Sequence, residues 1–143
     1  MSQTFNHRRI IEFRDTDMAG IVHFSNFFSY MEQAEHAFLR SVDLGVFCEI
    51  DGENVSWPRV NASCDYLQAL RFEEVIDVIV SISRIGTKSI TYDFDFRRND
   101  EQVATGTLTV VCCKVEHGKR PESVAIPASF IEKLQLYVQP QSE

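Results

Sequence analysis

A single long helical pattern of bulky apolar residues near the start of the chain constrains the fold more than any other feature. Across residues 24–42 the apolar positions recur every three or four residues, which is the period of one helix face. The pattern is almost continuous and rich in phenylalanine, so we expect a sheet to wrap this helix and bury it. Its members are Phe24, Phe27, Phe28, Met31, Ala34, Phe38, Leu39 and Val42.

Strand patterns fill most of the remaining chain. One strand is predicted before the helix, over residues 5–13, and a loop is predicted over residues 48–53. Consecutive strands joined by tight turns, such as the turn at Asn99 and Asp100, are typical of an antiparallel sheet. A short helix is predicted over residues 127–138. The four strands predicted between the loop and this helix cover residues 55–67, 75–85, 88–97 and 103–115.

The order of one strand, one long buried helix and four further strands predicts an α+β hot-dog fold. In that architecture an antiparallel sheet of about five strands wraps round one long central helix, and here a short C-terminal helix is added. The length of 143 residues predicts a single domain over residues 1–143. A sheet wrapped on one side leaves edge strands that commonly pair with a second subunit, so we expect a homodimer or homotetramer.

Composition and charge argue against several classes of partner and location. Fourteen basic and 21 acidic residues give a net charge of −7, which disfavours nucleic acid or an anionic membrane as the main partner. The start of the chain lacks the apolar core of a signal peptide, and no run reaches the roughly 18 apolar residues of a spanning helix. The four cysteines form no C-x-x-C pair, so we expect reduced thiols and a cytoplasmic protein.

The connection between the first strand and the long helix carries the residues that are best suited to catalysis. Asp15, Asp17 and Gly20 lie on this connection, and His23 stands where the helix is expected to begin. Backbone N–H groups at a helix N-terminus are free to bind an anion or a polarised carbonyl oxygen. From the spacing alone, the two aspartates could instead be turn formers, since aspartate is favoured in loops.

The segment Glu12-Phe-Arg-Asp-Thr-Asp17-Met-Ala-Gly20-Ile-Val-His-Phe-Ser-Asn26 resembles the signature of the 4-hydroxybenzoyl-CoA thioesterase family of hot-dog acyl-CoA thioesterases. The family pattern is an aspartate, two variable residues, a glycine, a branched pair, an aromatic pair and the start of the central helix. The resemblance covers nearly the whole chain without large gaps. It continues through Pro58-Arg-Val60, Tyr66, Gly86-Thr-Lys88-Ser89 and Ile126-Pro-Ala-Ser-Phe-Ile131.

The resemblance implies hydrolysis of an acyl-CoA substrate with an aromatic or short acyl group. Asp17 is then the catalytic residue, which either attacks the thioester carbonyl or activates water. Amides at the helix N-terminus, including that of Phe24, polarise the carbonyl, and Gly20 lets the chain turn closely into the helix. Asp15 matches a supporting position. No cofactor is implied.

Three further residues are candidates for binding the acyl group, and each has a structural alternative. His23 either lines the pocket or packs at the helix start; the related branch with aliphatic substrates has its histidine one position later, at Phe24. Glu32 either helps to recognise the acyl group, as a carboxylate of the aromatic-substrate enzymes does, or is a solvated helix residue. Trp57 either walls the acyl pocket or is a core aromatic.

The phosphates of CoA require basic residues near the mouth of the pocket. Lys88 and Ser89, at the turn that the resemblance includes, are the candidates, with Arg84 and Arg71 nearby in sequence. In the resembled aromatic-substrate enzymes this turn has a denser basic run, whereas glycine and threonine replace two of its members here. Lys88 could therefore also be an ordinary turn lysine.

Other functions compete with thioester hydrolysis. A non-catalytic acyl-CoA-binding or regulatory hot-dog protein would not need an acid at position 17. A hot-dog dehydratase would require a catalytic histidine in a glycine- and proline-rich context, which the sequence lacks. A magnesium-dependent phosphatase could use Asp15 and Asp17, but that chemistry normally sits on a parallel sheet with alternating helices. Glu32, Glu35 and His36 share a helix face but supply too few ligands, so no metal is expected.

Overall fold

The computed structural model describes residues 2–140, so the predicted domain bounds at residues 1 and 143 lie outside the described part. A long helix, α1, follows the first strand, and a short helix, α2, lies near the C-terminus. Two 3-10 turns cover Phe13–Asp15 and Gln135–Tyr137. The helices and strands are β1 (Phe5–Ile10), α1 (Asn26–Ser41), β2 (Phe47–Ile50), β3 (Glu53–Ser56), β4 (Arg59–Tyr66), β5 (Val75–Ile85), β6 (Ser89–Arg98), β7 (Glu101–Val111), β8 (Cys113–Lys114), β9 (Glu122–Ser123) and α2 (Ala128–Leu134).

Five strands form one antiparallel sheet in the order β1-β5-β6-β7-β4, so β1 and β4 are its two edges. The central helix α1 packs against this sheet and contacts β1, β4 and β5. The predicted α+β hot-dog fold is therefore confirmed. A second sheet, in the order β2-β3-β8-β9, was not predicted. No helix among residues 2–140 has the length and apolar character needed to cross a bilayer.

Alternating burial explains why the sheet folds onto the helix. Every second side chain along most of β6 is buried, namely Ile90, Tyr92, Phe94 and Phe96. Gly106 on β7 allows the helix to approach closely, because a Cβ atom at this position would collide with the Sδ atom of Met31. The buried face of α1 consists of Phe27, Tyr30, Met31, Ala34, Glu35, Phe38 and Leu39.

The predicted boundaries at the start of the chain are too wide. β1 ends at Ile10 rather than at residue 13, because Glu12 and Asp15 form a capping box around the first 3-10 turn. The helix covers Asn26–Ser41 instead of residues 24–42. Phe28, which the apolar pattern includes, is exposed at the helix surface. The apolar period therefore predicted the helix but not its ends.

Later boundaries also differ from prediction. The strand predicted over residues 103–115 is divided at Cys112 into β7 and β8, which belong to different sheets. Most of the predicted loop over residues 48–53 belongs to the hairpin of β2 and β3. The strand predicted over residues 55–67 is split into β3 and β4 at Trp57 and Pro58, since proline has no N–H to donate within a sheet. The terminal helix predicted over residues 127–138 covers only Ala128–Leu134 and continues as a 3-10 turn.

Candidate active site

A tight loop between β1 and α1 presents Asp17. Thr16 and Val22 form an isolated antiparallel bridge, and Asp17 N–H donates to the carbonyl oxygen of Ile21 at 2.9 Å. Gly20 N–H donates in turn to the carbonyl oxygen of Asp17 at 2.9 Å. Gly20 has φ +78°, a left-handed conformation that glycine adopts without the steric cost of a side chain. The sequence thus closes a loop that holds Asp17 at a defined place before the helix.

The carboxylate of Asp17 is exposed and only partly bonded. Its Oδ1 atom accepts a hydrogen bond from Ala19 N–H at 2.8 Å, which fixes the orientation of the side chain. Within residues 2–140 no hydrogen-bond donor or cation lies on the other oxygen. One oxygen of this carboxylate is therefore available to a substrate or to water.

Asp15, two residues earlier, is buried in a structural network. Its Oδ2 atom accepts from Glu12 N–H at 2.9 Å and from the Arg9 guanidinium at 3.2 Å. Its carbonyl oxygen accepts from His23 N–H at 2.9 Å and from the Asn26 side-chain amide at 2.8 Å. These bonds tie the end of β1 to the start of α1. Asp15 thereby supports the loop that carries Asp17, in agreement with its expected supporting position.

The first turn of α1 leaves fewer free amides than the sequence suggests. Asn26 N–H donates to the carbonyl oxygen of His23 at 2.9 Å, and Phe27 N–H donates to that of Phe24 at 3.4 Å. Ser25 N–H donates to the Nδ1 atom of His23 at 3.3 Å. The N–H of Phe24 has no acceptor in the described part of the chain. The helix start therefore offers one unbonded amide, at Phe24, beside the Asp17 loop.

His23 is exposed and is held by its neighbours at the helix start. Its Nδ1 atom lies 2.7 Å from the hydroxyl of Ser25, and its ring packs against that of Phe24 with centroids 4.7 Å apart. Because Ser25 N–H also points to Nδ1, that nitrogen acts as an acceptor and the neutral ring carries its proton on Nε2. His23 is not among the residues that line the adjoining cavity. Its role in substrate binding stays a prediction.

A cavity of about 340 Å³ adjoins the Asp17 loop. Its polar side chains are Asp17 and Gln68, and Tyr66 contributes an aromatic ring with a hydroxyl group. The other walls are apolar, so the cavity suits a hydrophobic group with a reactive polar end. The lining residues are Asp17, Ile21, Val22, Phe24, Phe27, Tyr66, Leu67, Gln68, Ala69 and Leu70.

Tyr66 at the end of β4 is a site residue for which no role was predicted. Its hydroxyl donates to the carbonyl oxygen of Phe24 at 3.1 Å, across 42 positions of sequence. Its ring packs edge-on against the rings of Phe27, at 5.0 Å, and Phe24, at 6.5 Å. Tyr66 thus orients the helix start that carries the free Phe24 amide. Only its place within the resemblance singled it out in the sequence.

The other predicted binding residues lie away from this cavity within one chain. Trp57 is buried and its ring packs on that of Phe130 with centroids 5.6 Å apart, so it occupies the core position that was the alternative. The carboxylate of Glu32 lies 3.3 Å from the Arg59 guanidinium. Lys88, whose Nζ lies 3.4 Å from the Ser123 hydroxyl, precedes β6 at the far end of the sheet.

The length of β5 shows how far the Lys88 turn lies from the cavity. The cavity residues up to Leu70 lead into the start of β5, whereas Lys88 and Ser89 follow its end. The 11 residues of β5 separate these two ends by roughly 30 Å at the usual rise per strand residue. A single chain therefore does not bring Asp17 and the predicted CoA-binding turn together.

A second charged cluster lies between α1 and β4. Glu35 is only 1% exposed and forms hydrogen bonds with the guanidinium of Arg59, one of them at 3.0 Å. Burial raises the pKa of Glu35, and the bond to Arg59 opposes that shift. The Arg59 side chain also bonds the carbonyl oxygen of Trp57 at 3.1 Å. This ion pair anchors the start of the edge strand β4 to the helix.

Known proteins resemble this chain in both sequence and structure. The model of the Thioesterase-like superfamily matches residues 11–134. A protein of Aquifex aeolicus that carries the name of an esterase is 31% identical over 130 residues, covering 91% of this chain and 97% of that protein. The 1,4-dihydroxy-2-naphthoyl-CoA hydrolase of Nostoc punctiforme is 22% identical over 132 residues, which are 92% of this chain and 87% of that protein. The structure of a 1,4-dihydroxy-2-naphthoyl-CoA thioesterase from Synechocystis has a TM-score of 0.82 at 21% identity, and the match covers 93% of this chain and 96% of that one.

These matches and the observed architecture define a hot-dog thioester hydrolase. The chain belongs to the Thioesterase-like superfamily. This family is wider than the 4-hydroxybenzoyl-CoA thioesterase family that the sequence resembles. The relatives from Nostoc and Synechocystis are named for a different aromatic acyl group, so the narrower assignment is not shown.

Proposed function

We propose that this enzyme hydrolyses an acyl-CoA thioester, with Asp17 as its catalytic carboxylate and the Phe24 amide as the donor to the thioester carbonyl. One observation supports this assignment above all. Asp17 and Phe24 line the same cavity, and within residues 2–140 one carboxylate oxygen of Asp17 and the N–H of Phe24 have no hydrogen-bond partner. The positive end of the α1 dipole also favours negative charge that develops at this place.

Two chemical routes use these same atoms. In one, an Asp17 oxygen attacks the carbonyl carbon, the CoA thiolate leaves, and water then hydrolyses the mixed anhydride. In the other, Asp17 takes a proton from water while the water oxygen attacks the carbonyl carbon, and the thiolate leaves without a covalent intermediate. In both routes the Phe24 N–H donates to the carbonyl oxygen as it gains negative charge.

The walls of the cavity favour an aromatic acyl group over a short aliphatic one. The rings of Phe24, Phe27 and Tyr66 meet at the cavity and would pack against a flat acyl group. The Gln68 side chain offers a polar partner for a ring substituent such as a hydroxyl group. The names of the Nostoc and Synechocystis relatives, which specify a dihydroxynaphthoyl group, agree with this preference.

We also propose that two copies pair through β4 and complete the substrate site. β4 is an edge strand, and nearly all of its side chains are exposed. An antiparallel pairing centred between Ala62 and Ser63 would place the partner's Arg59 opposite Tyr66, at the cavity. Lys88 and Ser89 lie at the same end of the sheet as Arg59, because Arg59 pairs with Val110 and Val110 pairs with Ile90. The partner's Lys88 then comes within reach of CoA held in the cavity.

A substrate panel tests the proposal. Benzoyl-, hydroxybenzoyl-, dihydroxynaphthoyl- and short aliphatic-CoA thioesters are mixed with the enzyme, and free thiol is followed over time. We expect Asp17→Asn to lower kcat at least a hundredfold, a loss in the range known for an essential acid or base group. The aromatic thioesters should be hydrolysed with a higher kcat/KM than the aliphatic ones.

A matched control separates loss of chemistry from loss of structure. Asp51 is also exposed and has φ +52°, a conformation that asparagine tolerates, so Asp51→Asn should keep full activity. Full activity of Asp17→Asn would refute the catalytic role of Asp17. Tight binding of acyl-CoA without any turnover by the wild-type enzyme would instead indicate a non-catalytic acyl-CoA-binding protein.

A further inference from the structure

A row of exposed side chains on α1 continues the wall of the cavity towards the middle of the edge strand β4. Phe24, which lines the cavity, is followed one turn later by Phe28 and two turns later by Glu32, and all three are exposed. Residues four apart lie on the same helix face, so these side chains form one row. Phe28, at 36% exposed, is a large apolar side chain one turn beyond the residues that line the cavity.

Contacts at the two ends of this row fix where Phe28 lies on the sheet. At one end the ring centroids of Phe24 and Tyr66 are 6.5 Å apart, and at the other end the Glu32 carboxylate lies 3.3 Å from the guanidinium of Arg59. The helix α1 therefore runs antiparallel to β4 along this edge. Phe28, midway between Phe24 and Glu32, lies beside the middle of β4, between Arg59 and Tyr66.

The middle of β4 carries small side chains on the face that meets the helix. Cys64 pairs with Gly106, whose helix-facing side lies against α1, so Cys64 faces the helix as well. Ala62 faces the same way, because side chains two residues apart share one face of a strand. Ala62 is exposed and Cys64 is partly exposed. A groove with a low floor thus leads from Tyr66, at the cavity, to the middle of β4.

The proposed pairing of two β4 strands would close this groove at the two-fold axis. A pairing centred between Ala62 and Ser63 puts the axis beside Phe28, so the Phe28 side chains of the two copies approach each other there. The groove from each cavity then ends at this pair of rings. The strand rises roughly 12 Å between Tyr66 and the axis. That length suits a compact ring system, whereas an extended long-chain acyl group exceeds it.

We propose that Phe28 is a specificity-determining residue, and that the Phe28 rings of the two copies set the longest acyl group that the groove accepts. This role rests on the proposed β4 pairing and on acyl-CoA as the ligand, but not on the catalytic role of Asp17. A phenylalanine ring suits the end of the groove, because it packs against a flat aromatic group and carries no polar atom that would need a partner. Removing the two rings joins the two grooves, so that a longer chain can pass the axis.

Binding of ligands that cannot be hydrolysed tests this role apart from catalysis. S-alkyl-CoA thioethers have no carbonyl group, and a series from butyl to dodecyl gives the dependence of Kd on chain length by calorimetry. Each newly buried methylene should tighten binding about fourfold, the equivalent of about 0.8 kcal/mol, until the chain meets the Phe28 pair. Beyond that length the Kd of the wild-type protein should stop falling.

Two substitutions at position 28 should move this length limit in opposite directions. Phe28→Ala opens the groove, so its Kd for the longest thioether should be about tenfold or more below that of the wild type. Phe28→Trp fills more of the groove, so its limit should come at a shorter chain. Phe72→Ala is the matched control, since Phe72 is an exposed phenylalanine beside Phe13, at the β1 edge of the sheet, and its limit should equal that of the wild type.

Sedimentation at the concentration of the binding experiment shows whether the copies are paired. A paired wild type whose length limit is shared by Phe28→Ala and Phe28→Trp overturns the role of Phe28 and leaves the β4 pairing standing. A monomeric wild type overturns both, and so does a wild type that binds no thioether. If Phe28→Ala alone dissociates, the limit of Phe28→Trp decides, because that variant keeps a ring at the axis. The expected limits in a protein that turns over no thioester would refute the proposed hydrolysis alone.

Discussion

Removing the guanidinium that neutralises Glu35 should destabilise the fold strongly. In Arg59→Ala the carboxylate of Glu35, which is 1% exposed, loses its ion pair and its charge-assisted hydrogen bonds. Breaking a buried pair by deleting one partner typically costs about 3–5 kcal/mol, because the remaining charge is uncompensated. The Arg59 side chain is 29% exposed, so water can partly replace it, and we expect a loss near the lower bound.

A loss of about 3 kcal/mol converts into a measurable change in Tm. The unfolding entropy of a chain of this length is on the order of 0.3 kcal/mol per kelvin, which predicts a decrease in Tm of about 10 °C. His36 is the other basic side chain beside Glu35. Its Nε2 atom lies 3.7 Å from Glu35, and burial lowers the pKa of His36, which disfavours the charged form of the ring.

The destabilisation should also depend on pH with a definite sign. Burial raises the pKa of Glu35 above its unfolded value of 4.5, and loss of Arg59 raises it further. At pH values between the unfolded pKa of Glu35 and its pKa in the folded variant, the folded variant binds more protons than the unfolded chain. The stability of the variant therefore falls as the pH rises through this range. The difference in unfolding free energy between variant and wild type should therefore be smaller at pH 5 than at pH 8. It should shrink by about 1.4 kcal/mol for each pH unit by which the loss of Arg59 raises the pKa of Glu35 further.

Thermal and urea unfolding at pH 5 and pH 8 measure this effect, with all samples at one protein concentration. The control is Arg8→Ala, which removes an ion pair with Asp77 at 3.0 Å in which Arg8 is 69% exposed. Exposed pairs contribute at most about 1 kcal/mol, so the control should unfold nearly as the wild type does. An Arg59→Ala deficit below about 1 kcal/mol, or one that is equal at both pH values, would refute the reasoning. Adding Glu35→Gln to Arg59→Ala should recover stability, since an amide carries no charge.

Two further substitutions probe the helix start and the contact between helix and sheet. Tyr66→Phe removes the hydroxyl that donates to the Phe24 carbonyl oxygen. We expect kcat to fall about fivefold, which corresponds to the loss of one neutral hydrogen bond. KM should stay unchanged, because the aromatic ring remains. Equal kcat in both proteins would show that this bond does not position the amide. Gly106→Ala should destabilise the fold by about 2 kcal/mol in urea unfolding, because the new methyl group collides with Met31. Gly45→Ala, where the added Cβ meets only ordinary contacts, serves as its control, and equal stability of the two variants would contradict the close approach.

The main sheet and its helix were predictable because one-sided burial produces both of their sequence patterns. β5 has the predicted bounds, since its buried side chains alternate from Ile76 to Ile82, which is most of the strand. The hairpin of β2 and β3 was missed because its strands have four residues each, too few to show a period. Its sequence signal is the turn at Asp51 and Gly52, which lies within the loop predicted over residues 48–53.

The candidate site was predictable where it is local in sequence and not where it depends on the fold. Asp17 and Phe24 belong to one short connection, so the sequence alone places them near each other. Tyr66 reaches Phe24 from 42 residues away, and only the end of β4 and the sheet order bring it there. Lys88 illustrates the converse, because the antiparallel sheet separates it from Asp17 within one chain. Only the proposed second copy would bring such a residue to the cavity.

The different environments of Asp15 and Asp17 follow from the turn between them. In a regular strand residues i and i+2 share a face, but Asp15 ends a 3-10 turn, so the two side chains leave the backbone in different directions. Asp15 is buried, and its Oδ2 atom is bonded to both the Arg9 guanidinium and the Glu12 amide, which leaves it little capacity to react. Asp17 has no cation in the described chain and holds only one amide bond. Exchanging the two environments would require moving both the capping box and the buried arginine. The local fold therefore leaves Asp17 as the exposed and less bonded of the two carboxylates, as its proposed catalytic role requires.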